Sequence, residues 1–256
     1  MIDFGLLASL IVAFGVPSLV ASWWTIRSST GPIGFLDVAF GPAFAGVAVA
    51  RLTTLALDDP ASIGSISDML IIRSGVEFWP GVVAAVAVAM WSARRSGDSP
   101  TDRVADLAPL VMVGYAGYEA ACVFRDGCFG PESPIGLRPP GLSTPMLPTG
   151  WLMGIAVTVA AVAVHMLVAR KHPAIVVALT ATAAVASIRA LGSIWLPHFG
   201  DGLTRQHISS VAVAAATGMA AIAAVRFSRG QRSIDAAAPV PAPPDTTTSE
   251  KPAPPS

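Results

Sequence analysis

The side chains of this 256-residue chain best placed to do chemistry are ionisable residues set in apolar sequence. A charged group inside a hydrocarbon layer is costly unless it is paired or wet, so its presence there points to a task. Arg51 sits in AGVAVARLTTLAL and Arg189 in ATAAVASIRALGSIW. Two guanidiniums in such surroundings call for carboxylates or phosphates. Glu77 and Glu119 are the candidate protein partners, and an ion-pair role is one reading. The other is that Arg51 and Arg189 hold the phosphate of a lipid headgroup, because a guanidinium fork matches phosphate oxygens bidentately. For Arg73, Glu77 and Arg205, snorkelling to headgroups is the competing explanation. Glu119, Glu77 and His207 are the candidate proton acceptors, a carboxylate serving only where burial outweighs an adjacent arginine. Cys122 and Cys128 match no zinc pattern, and neither a metal nor a cofactor is expected. A disulfide on an oxidising face, a buried pair of free thiols and a covalent lipid-carrying cysteine all stand as readings of that pair.

The elements that must position these residues follow from composition. Hydrophobic residues make up 53% of the chain and charged ones 12%, against about 25% charged in ordinary soluble domains. With 16 basic and 16 acidic residues the net charge is zero, which removes the electrostatic basis for binding nucleic acid. A bilayer core needs about 20 apolar residues per helix. Seven such runs are visible, at 4–24, 34–57, 76–93, 104–123, 149–169, 173–196 and 206–227. They are rich in Ala, Gly, Ser and Thr, which lets helix backbones approach closely. The expected fold is an all-α integral membrane protein, a seven-helix transmembrane bundle over 1–227.

No basic residue precedes the first run, so it reads as a retained helix and not a signal peptide. With the N-terminus outside and the C-terminus cytoplasmic, ten Lys and Arg residues fall inside, among them Arg94, Arg95, Arg170 and Lys171. Only Arg73, Arg125, Arg138 and Arg205 then lie in outer loops, the asymmetry expected of a plasma-membrane protein. Residues 228–256 are polar and Pro-rich and read as a disordered cytoplasmic tail. In this orientation Arg51, Arg189, Glu119, Glu77, Arg205 and His207 share one depth, the outer third of the bilayer. His165, Asp37 and Asp106 lie toward the other face and read as structural. The six tryptophans fall near helix ends, as an aromatic belt requires. The Gly- and Pro-rich connection 125–150 is either a lid or acceptor groove over the site or a mobile surface loop.

The order of motifs resembles that of the prolipoprotein diacylglyceryl transferase family over roughly residues 40–220. AGVAVARLTTLALDDP is similar to the family's G-A-R-L-G-Y and following D-P, with Arg51 at the arginine. RSGVEFWPG resembles G-G-L-S-F-H-G-G, and ARRSGDSPTDRVADLAPLVMVGY resembles the A-R-R…D…A-P-L…G run. YEAACVFRDGCFG lies where the family has G-R-L-G-N-F-I-N-G-E-L-Y-G, with Gly130 on the closing glycine. SIRALGSIWLPHFGDGLTRQHISS is similar to the F-R-I-I-V-E-F-F-R…L-T-M-G-Q-I-L-S stretch, with Arg189 on its first arginine. The resemblance implies a seven-helix enzyme that moves diacylglyceryl from phosphatidylglycerol to the lipobox cysteine of prolipoprotein signal peptides. Arg51, Arg189 and Gly130 would then bind the headgroup. Departures fall on the family's reactive positions: Trp79 stands for its histidine, Glu119 for its signature arginine, Cys122 for its asparagine and Gly127 for its glutamate. Ser193 and Leu196 replace the later glutamate and arginine. They keep open a non-catalytic paralogue that binds lipid or protein in the membrane.

Overall fold

The computed structural model describes residues 4–24, 32–61, 77–125, 128–139, 141–196 and 203–237. Among these the chain forms seven α-helices: α1 Phe4–Trp23, α2 Pro32–Asp58, α3 Phe78–Arg95, α4 Pro100–Ala120, α5 Thr149–Ala169, α6 Ala174–Trp195 and α7 Arg205–Ala237. Four stretches, Gly34–Asp58, Thr149–Ala169, Ala174–Trp195 and Arg205–Ser228, are long and apolar enough to cross a membrane. The protein is therefore a helical membrane protein.

Local chemistry sets where the helices begin and stop. α4 starts four residues before its expected position because Ser99 accepts the backbone N–H of Asp102 at 3.4 Å and Pro100 opens the first turn, where a missing N–H costs nothing. α3 and α5 end alike. Asp98 N–H reaches back to the Ala93 carbonyl at 2.9 Å and His172 N–H to that of Leu167 at 3.1 Å. Between them the chain turns through a left-handed residue, Gly97 at φ 77° after α3 and Lys171 at φ 56° after α5. α7 runs ten residues past its expected end at 227 and reaches Ala237, a helix of 33 residues and so about 50 Å long. The beginning of the segment read as a disordered tail is therefore helical, while 238–256 lie outside the described residues.

α4 is the centre of the bundle and packs against α1, α3, α5 and α6. Its Ala105, Met112, Val113 and Ala116 meet Val157, Ala161, Val164 and Val168 of α5 and Val177 and Ala181 of α6 in one buried cluster. Close approach depends on missing side chains: a Cβ on Gly114 would stand 2.6 Å from the Ala13 carbonyl of α1. On the other side α2 and α3 meet glycine to glycine, a Cβ on Gly81 falling 2.8 Å from the carbonyl of Gly46. α7 lies along α6 and touches α3 only slightly.

Between α4 and α5 the chain tightens into a 3-10 turn at Ala121–Arg125 and then forms a small hairpin. The hairpin is stitched by Gly130 N–H to Leu147 carbonyl at 2.7 Å, Leu147 N–H to Pro131 at 3.0 Å and Ser133 N–H to Pro145 at 2.9 Å. The connection 125–150 is thus an ordered structure over most of its described length. It sits at the end of the bundle where α1, α3, α5 and α7 start and α2, α4 and α6 stop, called here the hairpin end.

Candidate functional site

Five helices bring their ionisable side chains to the hairpin end. α4 supplies Tyr115 and Glu119, four residues apart and so on one face. α6 supplies Arg189, whose Nη1 donates to the Tyr115 hydroxyl at 2.6 Å and lies 3.6 Å from Glu119 Oε1. α3 supplies Phe78, whose ring centre is 4.0 Å from the Arg189 guanidinium carbon, the geometry of a cation over an aromatic face. Phe78 leans in turn on Tyr115, with ring centres 5.3 Å apart. The guanidinium is therefore fixed on one edge and one face. Its Nε–H is buried and has no hydrogen-bond partner among the described residues, which leaves a donor for an acceptor brought from outside.

A second cluster joins α2, α3 and α7 at the rim. Arg205 Nη2 donates to both carboxylate oxygens of Asp58, at 3.0 and 3.1 Å, and its Nε lies 2.6 Å from Glu77 Oε1. Glu77 precedes the first turn of α3 and is buried; Thr54 Oγ1 accepts its backbone N–H at 2.9 Å. Trp79 Nε1 donates to Ser210 Oγ of α7 at 3.1 Å. Arg51, one turn before Thr54 on α2, is 5% exposed and so is held inside the bundle.

The third group pairs α6 with α7. Ser193 Oγ is 2.9 Å from His207 Nδ1. Thr204 caps α7, its Oγ1 accepting the His207 N–H at 3.2 Å and its carbonyl the Ile208 N–H at 3.1 Å. Ser193 stands one turn beyond Arg189 on the same face of α6.

The expected residues thus divide. Glu119 meets Arg189, Glu77 meets Arg205, and His207 meets neither carboxylate among the described contacts. Arg73 lies outside the described residues. Gly130 is closely packed: its N–H is spent on Leu147, and a Cβ would fall 2.5 Å from Thr149 Oγ1 and 3.0 Å from the Trp195 carbonyl. The thiol readings of Cys122 and Cys128 are corrected, since the two form a disulfide with Cα atoms 5.9 Å apart. The 3-10 turn after Ala120 and the left-handed backbone of Cys128, φ 64°, fold the chain back far enough to join them. Away from this end, His165 stacks on Trp24 at 4.2 Å, a packing role. Asp106 is buried within α4 and does not solvate a helix start.

Sequence reasoning did not pick out Tyr115, Phe78 or Asp58, and it met Ser193 only as the replacement of a family glutamate. Tyr115 with Glu119 and Arg189 with Ser193 carried a signal in their spacing of four on one helix face. No family model and no curated protein matches the chain.

Proposed function

We propose that the protein is a phospholipid-using transferase that moves diacylglyceryl from phosphatidylglycerol to the lipobox cysteine of a prolipoprotein, or a diverged version of that reaction. In this reading all seven helices span the plasma membrane, the N-terminus is outside, the C-terminus is cytoplasmic and the hairpin end faces outward. The observation that carries it is the held guanidinium of Arg189 with its buried, uncommitted Nε–H. A phosphate oxygen would satisfy that donor, and charge developing on a leaving glycerol phosphate would be met by a cation already in position. Arg51, buried at the same end, adds a second cation. The family resemblance of the motifs points to the same substrate.

One observation favours a second reading, a lipid- or protein-binding paralogue without turnover. Glu119 and Glu77 are both engaged by arginines, so each would have to give up an ion pair before it could meet a substrate. The deciding experiment incubates purified protein in phosphatidylglycerol vesicles with a synthetic lipobox peptide and reads a diacylglyceryl adduct on the peptide cysteine by mass spectrometry. An adduct that disappears in Arg189→Ala and Arg51→Ala is expected. No adduct, beside an active authentic transferase, would replace the first reading with the second.

A further inference from the structure

With Glu119, Glu77 and Asp58 each paired with an arginine, His207 is the one of the three candidate proton acceptors that no cation engages among the described contacts. Ser193 has a single hydroxyl proton, and its Oγ lies 2.8 Å from the carbonyl of Ala190, three residues back on α6. That carbonyl can only accept, and a hydroxyl that donates to it turns its lone pairs outward. With the hydroxyl proton on that carbonyl, the contact of 2.9 Å to His207 is one in which Nδ1 donates. In a neutral ring the other nitrogen, Nε2, carries the lone pair. The backbone of His207 is fixed independently by Thr204.

We infer that Ser193 is a positioning residue that locks His207 in its Nδ1–H tautomer, making Nε2 the proton acceptor of the site. Arg189 and Ser193 are four residues apart on one face of α6, about 6 Å along the axis. The residue that holds the base and the cation proposed to meet phosphate therefore stand one turn apart on α6.

What proton Nε2 takes rests on the transferase reading. There the acceptor cysteine gives its S–H proton to Nε2. The sulfur electron pair forms the C–S bond to the glyceryl carbon while the C–O bond to phosphate breaks. Glycerol phosphate leaves with that bond's electrons and its added charge facing Arg189. The proton then passes from Nε2 to the departing phosphate or to water. The Ser193 proton does not move, so Ser193 is not a nucleophile.

The test separates the tautomer from the reaction. Full-length protein labelled with 15N-histidine is placed in phosphatidylglycerol nanodiscs, and His207 is assigned by loss of its signals in His207→Gln. The expected spectrum shows Nδ1 protonated in the wild type and a mixture of tautomers in Ser193→Ala, with the wild-type pattern restored in Ser193→Thr. A wild-type ring protonated on Nε2, or the same pattern in Ser193→Ala, overturns the inference whatever the activity. In the peptide assay His207→Gln should slow adduct formation by about 100-fold or more at unchanged phosphatidylglycerol binding, and Ser193→Ala by less. An undiminished rate in His207→Gln overturns the role of Nε2 while leaving the transferase reading standing. A wild type without adduct fells the transferase reading, and the spectrum still decides the tautomer.

Discussion

Two arginines at one end of the bundle show how little a short distance says about the strength of a contact. Arg205 makes the closer contacts, 2.6 Å to Glu77 and 3.0 Å to Asp58, yet its side chain is 51% exposed. Arg189 stands 3.6 Å from Glu119, with side chains 14% and 10% exposed. Exposed pairs are screened and hold flexible side chains in place at an entropic cost, so most contribute little. Buried pairs have lost their water, and removing one partner leaves a charge with nowhere to turn. The rim cluster therefore reads as a tie between α2, α3 and α7, and the buried α4–α6 pair as the place where the electrostatics are strongest.

The largest expected effect is on that buried pair. Arg189→Ala should destabilise the protein by about 3–5 kcal/mol in denaturant titrations in detergent. Glu119→Ala should be similar, and the double variant should lose less than the sum, with a coupling of about 1–3 kcal/mol. Strictly additive losses would break the comparison, because the pair would then be no more coupled than an exposed one. Next comes the disulfide that anchors the chain after α4, beside Glu119. Closing so short a loop contributes about 2 kcal/mol, so Cys122→Ser with Cys128→Ser should unfold that much more easily. Wild type kept in reductant should match the variant. If reductant leaves the unfolding midpoint unmoved, the two cysteines do not support the α4–α6 pair.

Which parts of this were legible in the sequence follows from how local each cause is. Thr149–Ala169 was found to the residue, because Pro148 and the Arg170–Pro173 break bracket an uninterrupted apolar run. The start of α4 was missed because its cap, Ser99 with Pro100 and Asp102, lies in polar sequence that a search for apolar runs passes over. The extension of α7 was missed for the same reason, since its last turns, RGQRSIDAA, are polar. Of the site, the arginines and carboxylates stood out because charge in apolar sequence is rare. Their pairing did not. Arg205 and Asp58 are 147 residues apart, and nothing short of the helix packing says which carboxylate each arginine meets. Gly130 was matched by motif, and its close packing is visible only in the structure. The disulfide stood in the sequence as one of three readings, because a helix continued to Val123 points the two cysteines apart and only the 3-10 turn brings them together.

The smallest effects belong to the rim, and they divide its three members. Arg205→Ala should cost about 1 kcal/mol, since Glu77, 11% exposed at its side chain, would lose its cation while partly out of water. Asp58→Asn should cost no more than about 0.5 kcal/mol, because Asp58 is 48% exposed and water replaces the lost interaction. Raising the salt to about 1 M shortens the screening distance to about 3 Å. It should erase most of what remains of the Asp58 effect and leave the Arg189→Ala effect largely intact. Thermal unfolding of the three variants at low and high salt reads all of this at once. An Asp58→Asn cost as large as that of Arg189→Ala, or an Arg189→Ala cost equally erased by salt, would mean that burial does not separate the two arginines. The proposed assignment of the substrate site to the α4–α6 pair would then lose its physical basis.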